Sequence, residues 1–114
     1  MATTLFGISY DAADAARTAS FWAELLGRTV NPGATPESAS IAPSDDPAAG
    51  PTLMFHQVLE TKTVKNRVHL DLITTEFDDE LARILSLGAT VIAQFDSWTT
   101  LADLEGNEFD LVRG

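Results

Sequence analysis

The chain contains no cysteine. Disulfides, thiol nucleophiles, thiolate-held zinc and iron–sulfur clusters are therefore excluded, and any metal must be held by His, Asp, Glu or water. Histidine is scarce too, with only His56 and His69 in the chain. Positive charge is thin: 7 basic residues stand against 17 acidic ones, for a net charge of −10. A phosphate backbone repels such a chain, so no nucleic-acid partner is expected. No apolar run approaches the ~20 residues of a bilayer span, so no membrane partner is expected either. The N-terminal MATTLFGISY lacks the basic segment and long apolar stretch of a secretory leader, which makes a cytoplasmic protein the expectation.

What is present is enough for one core. The 114 residues are 45% hydrophobic, which argues against disorder despite the charge. A chain of this length fits a single domain over 1–114 and buries roughly 65% of its unfolded surface. The few cations are unevenly placed, for Lys62, Lys65 and Arg67 fall in one short stretch. They could draw an anionic substrate to a cavity mouth, or form a solvated linker.

The chain repeats itself. FWAELLGRTV and LARILSLGATV each read as a helix closed by glycine, Gly27 and Gly88, and followed by a β-prone segment. LFGISY and RVHLDL upstream each read as a strand, and further short strands follow each helix. The pattern is strand–helix–strand–strand–strand, twice, with module one at about 1–60 and module two at about 65–114. Asp14 is expected to cap the first helix, with Thr18, Phe21, Trp22, Leu25 and Leu26 as its apolar stripe. Thr75 is expected to cap the second, with Phe77, Leu81, Ile84 and Leu85 buried. Residues 31–50, rich in Pro, Ala, Ser and Gly, read as turns around a short edge strand at Ala39–Ala42. Later strands are expected at Ala89–Phe95, Trp98–Asp103 and Asn107–Val112, with Gly106 free to take positive φ in the last turn.

Alternation assigns faces. In Arg67–Ile73, Val68, Leu70 and Leu72 point to the core, while Arg67, His69, Asp71 and Ile73 point away. In Asn107–Val112, Phe109 and Leu111 point inward, and Glu108 and Asp110 outward. Should the two strands be neighbours, a histidine and several carboxylates share one surface. That chemistry suits a divalent metal held by nitrogen and oxygen, and equally suits a solvated face. In the first strand Phe6 and Ile8 face the core, and Leu5, Gly7, Ser9 and Asp11 face out. Trp22, Phe55 and Phe95 are expected in the core. Trp98, at a strand start, is a candidate to stack on a flat ligand.

The modules carrying ASFWAELLG, KTVKNRVHLDL, LGAT and LADLEGNEFDLV resemble the vicinal oxygen chelate superfamily, in its glyoxalase/bleomycin resistance/dioxygenase branch. The resemblance runs along nearly the whole chain. It implies an α+β fold of paired βαβββ modules forming curled mixed sheets around a cavity. It implies a small-molecule ligand, a homodimer and a divalent metal (zinc, nickel, manganese or iron) that serves lyase, isomerase or dioxygenase chemistry. Metal ligands would fall on His69 and Glu108. The first-module ligand falls on Gly7, which has no side chain, so the site is expected to be incomplete. His56 is a candidate third ligand, and Arg67, Asp71, Asp110 and Trp98 are candidate pocket residues. Asp71 or Asp110 could orient a ligand or act as a general base. No catalytic residue is assigned. The other reading is a metal-free binding protein of the kind that sequesters a drug or metabolite.

Overall fold

The computed structural model describes residues 2–43 and 50–114. The part of the expected turn region at 44–49 lies outside the described residues. Two compact units divide the chain, Met1–Thr61 and Lys62–Gly114.

The first unit is built from β1 (Gly7–Ala12), α1 (Ala15–Leu26), β2 (Ser38–Ile41) and β3 (Thr52–Gln57). Its sheet has the order β1-β3-β2, with β1 parallel and β2 antiparallel to β3. Val30 adds one antiparallel bridge to Ile41, a single-residue remnant of the expected third trailing strand. Asp14 caps α1, its side chain accepting a hydrogen bond from the Arg17 amide at 3.1 Å. Gly27 ends the helix at φ 66°, a conformation that costs other residues more. The buried stripe holds Thr18, Phe21, Trp22 and Leu25 as expected, and Ala15, Ala19 and Ala23 join it. The alanines let the helix lie close over Ala39, Ile41, Leu53 and Phe55, all buried. Tyr10 stacks on both Trp22 and Phe55, with ring centroids 5.7 and 5.5 Å away. Phe6 departs from expectation: the strand begins only at Gly7, and Phe6 is 74% exposed. Arg28 secures the entry and exit of the β2–β3 connection by donating to the carbonyls of Ile41, Ala42 and Pro51. Burial lowers its pKa from the ordinary arginine value.

The second unit is built from β4 (Leu70–Thr74), α2 (Phe77–Ser86), β5 (Thr90–Gln94), β6 (Trp98–Ala102) and β7 (Glu108–Arg113). The sheet order is β4-β7-β6-β5, with β4 parallel to β7 and the remaining pairs antiparallel. Phe109, Leu111, Leu101 and Thr99 line the helix side and are buried. The cap of α2 is Glu76, not Thr75, and no side chain caps it; instead the Glu76 amide donates to Thr74 Oγ1 at 3.0 Å. The acidic first turn, Asp78, Asp79 and Glu80, complements the helix dipole without a capping bond. Only Phe77 and Ile84 of α2 are buried; Leu81 is half-buried and Leu85 exposed, which corrects the four-residue stripe. The Arg113 guanidinium covers the Phe77 ring at 3.9 Å.

Two further corrections share one cause. The fourth strand starts at Leu70, three residues later than alternation placed it, so Val68 precedes the sheet and is 79% exposed. The fifth strand ends at Gln94, so Phe95 is 50% exposed and stacks on Trp98 at 4.4 Å instead of joining the core. No described helix is long and apolar enough to cross a membrane.

Candidate functional site

The parallel pairing of β4 with β7 sets Leu70 beside Phe109, Asp71 beside Asp110 and Leu72 beside Leu111. Alternation then gives the sheet two faces. Leu70, Leu72, Phe109 and Leu111 share the helix side. Asp71 and Asp110 share the other, joined by Thr100, the partner of Asp110 on β6. His69 sits one residue ahead of β4 and continues that polar row. Its Nδ1 lies 2.8 Å from Asp71 Oδ1 and 3.6 Å from Asp110 Oδ2. A carboxylate only accepts, so the contact to Asp71 places the Nδ1 proton on His69 and leaves Nε2 with a lone pair in the neutral ring. Thr100 Oγ1 donates to Asp110 Oδ1 at 2.6 Å, which orients that carboxylate. One donor atom from each of His69, Asp71 and Asp110 falls within a sphere of mutual distances under 4.8 Å.

Glu108 lies on the same face but is committed elsewhere. Its Oε1 is 2.7 Å from Lys62 Nζ, and its Oε2 accepts from the Asn66 amide at 3.1 Å. Lys62 Nζ also donates to the Val64 carbonyl. The segment from Lys62 to Asn66 thus folds over the carboxylate at the start of β7. Desolvation pushes the Glu108 carboxyl up, but the Lys62 contact, two backbone hydrogen bonds and the nearby ammonium charge together outweigh it. The carboxyl is held below its ordinary value, and so ionised at neutral pH.

The turn before Glu108 is equally well fixed. The buried Asp103 accepts from the amides of Glu105 at 2.9 Å and Asn107 at 2.8 Å, and from the Asn107 side chain at 3.2 Å. Gly106 takes φ 86° there. Positions that sequence reasoning missed are Thr100, Asn66 and Asp103. The first two act through long-range pairing and a backbone amide, which leave no residue-type signal. Asp103 is recognisable as an aspartate opening a glycine turn.

Arg67 is exposed and lies three residues ahead of β4, outside the paired strand. Trp98 opens β6 on the polar face side, partly exposed and covered by Phe95. His56 belongs to the first unit, exposed near the end of β3, with Asp11 and Ser38 as its neighbours in register. Gly7 faces Thr52 across β1–β3, the slot equivalent to His69 beside Glu108. A Cβ at Gly7 would stand 2.7 Å from the Thr52 carbonyl oxygen and 2.9 Å from Met54 Cε. The backbone itself excludes a side chain there.

Known proteins share the fold that carries these residues. A family model described as glyoxalase-like domain matches residues 7–112. No curated protein matches the sequence. Among solved structures, the fosfomycin resistance protein FosX of Listeria monocytogenes, complexed with Mn(II) and a dihydroxypropylphosphonic acid, superposes with a TM-score of 0.73 at 16% identity, covering 98% of this chain and 90% of that one. The oxidase ChaP-H2 superposes at 0.69 with 20% identity, covering 100% and 95%. A glyoxalase-related enzyme from Fulvimarina pelagi superposes at 0.72 with 15% identity, covering 98% and 88%. Identities this low establish the shared fold. Together with the family match over almost the entire sequence, they show that the chain belongs to the glyoxalase-like domain family of the vicinal oxygen chelate superfamily.

Proposed function

We propose that the protein takes up a small molecule on the helix-free face of its second unit, and that it does so without a metal at the superfamily's ligand positions. The commitment of Glu108 to Lys62 carries this reading. An ammonium already neutralises the carboxylate that a divalent ion would need, and an ion approaching Oε1 would meet that positive charge at contact distance. Gly7 offers no donor and has no room for one. His69 and Glu108 therefore do not form a set that fits a metal.

What remains is a carboxylate-oriented imidazole. Asp71 fixes the His69 ring through Nδ1, and the free Nε2 can accept a proton from a bound molecule. Asp110, oriented by Thr100, stands where it would stabilise the imidazolium that results. The face is thus equipped either to bind alone or to assist proton abstraction. A homodimer, implied by the resemblance, and a cytoplasmic location complete the reading.

The test is ligand binding with and without chelator. EDTA-treated protein should be stabilised by its ligand as strongly as untreated protein, and should take up manganese, zinc, nickel or iron below stoichiometric amounts. Stoichiometric uptake at micromolar metal, lost in Glu108→Gln, would overturn it.

One observation favours a second reading. The donor atoms of His69, Asp71 and Asp110 lie close enough to share one divalent ion. Such an ion would supply Lewis-acid chemistry to a substrate oxygen. Metal uptake lost in His69→Ala and Asp110→Asn, yet kept in Glu108→Gln, would establish it.

A further inference from the structure

The stretch Lys62–Lys65 borders an open groove of about 450 Å3, whose wall also includes Ile92, Thr100 and Glu108. Its contents are unusual for a chain of net charge −10. Two of the 7 basic residues line it together with two glutamates. Glu108 is already neutralised by Lys62. Lysine has three N–H donors, and Lys62 donates one to the Val64 carbonyl while its ammonium pairs with the Glu108 carboxylate, so the group keeps donor capacity for a ligand. Lys65 takes part in none of the ion pairs among the described residues. The remaining acidic group, Glu105, is carried on the turn whose backbone Asp103 holds.

The apolar part of the groove is just as distinctive. Val64 is 74% exposed and Ile92 58% exposed, although both are large aliphatic residues. Ile92 stands at the irregularity between Val91 and Ala93, where β5 departs from regular register with β6. Thr100 lines the groove and also donates to Asp110, so the groove and the imidazole cluster meet at one hydroxyl.

We propose that this groove binds a small organic anion, a carboxylate or phosphonate on a short aliphatic body. Lys65 and the Lys62 ammonium hold the anionic group, while Val64 and Ile92 cover the body. The inference rests on the metal-free reading above and supplies its ligand class.

An NMR titration tests it. The amide spectrum of 15N-labelled protein is followed against isovalerate, propylphosphonate and the neutral isovaleramide, each to ~20 mM, which reveals millimolar affinities. Isovalerate, propylphosphonate or both should give saturable shifts at Lys62–Lys65, Ile92 and Thr100, and isovaleramide none. The two anions separate carboxylate from phosphonate preference. Lys65→Met should weaken anion binding about fivefold to tenfold, while Arg17→Met, on the exposed side of α1, leaves it unchanged. Added salt should weaken binding as well. Equal shifts with the neutral amide, wild-type affinity in Lys65→Met, or no binding of either anion would each overturn the proposal. No binding of either anion, with EDTA-treated protein still stabilised by another compound, removes this ligand class and leaves the metal-free reading intact. Anion binding that requires added metal removes both.

Discussion

In the first unit β1 runs beside β3 with Gly7 facing Thr52; in the second β4 runs beside β7 with His69 one position ahead of Leu70 and Glu108 one position ahead of Phe109. The two sheets share their strand order, β1-β3-β2 and β4-β7-β6, yet they have divided the labour. The first invests in packing: three aromatic rings stack through Tyr10, and α1 buries seven residues. The second invests in polar chemistry: α2 buries two, and the opposite sheet face gathers His69, Asp71, Asp110, Thr100 and the Lys62–Glu108 pair. A duplicated topology thus fixes where side chains stand, while each copy decides what stands there.

The largest test of this division is in the cores. Trp22→Ala removes a fully buried ring and should cost about 3–5 kcal/mol of unfolding free energy, whereas Ile84→Ala, on a helix that buries only one other residue, should cost about 2. Denaturant midpoints at equal slope check it, and the reverse order would break the contrast between a packed and a chemical unit.

Next comes the slot that differs most. Gly7→Ala should destabilise by about 1–3 kcal/mol, because its methyl group meets the Thr52 carbonyl and Met54. Ser9→Ala, exposed on the same strand and face, should stay within about 0.5 kcal/mol. Equal effects at the two positions would mean that β1 and β3 can part, and that the empty slot is a matter of side chain alone.

The smallest effect lies in pH. The Glu108 carboxyl is held below its ordinary value, so the stability it contributes is fully present above the unfolded carboxylate value near ~4.3. That contribution is lost as pH falls through the lower folded value. Wild type should therefore lose more stability than Glu108→Gln over that acid range, and no counterpart exists at Thr52 in the first unit. Parallel pH–stability curves for the two proteins would show that Lys62 does not hold the carboxylate.

Much of this was legible in the sequence, and the pattern of misses is physical. Asp14 and Gly27 marked the ends of α1 because capping is local chemistry. Alternation in β7 placed Phe109 and Leu111 inward and Asp110 outward correctly, since a strand buried on one side must alternate. Three of the misses fall at strand ends. Phe6, Val68 and Phe95 continue an apolar rhythm past the last ladder bond, and composition does not show where pairing stops. At α2, Thr75 had the right residue type, but the chain used the hydroxyl of Thr74 one position earlier. Within the site, alternation put His69 and the carboxylates on one face, and it could not show which carboxylate each cation would choose. The Lys62–Glu108 pair joins opposite ends of the second unit, and only the β4–β7 pairing brings them together.

Gly7 also bears on what mutation can reach from here. At His69 or Glu108 a codon change alters a donor and leaves the sheet as it is. At Gly7 any side chain first requires β1 to move away from the Thr52 carbonyl, so a ligand introduced there carries a backbone cost that a change at His69 or Glu108 does not. A route to a ligand in the first module therefore passes through a backbone adjustment as well as a change of residue, and selection for one would find easier starting material in a protein whose first strand stands farther off.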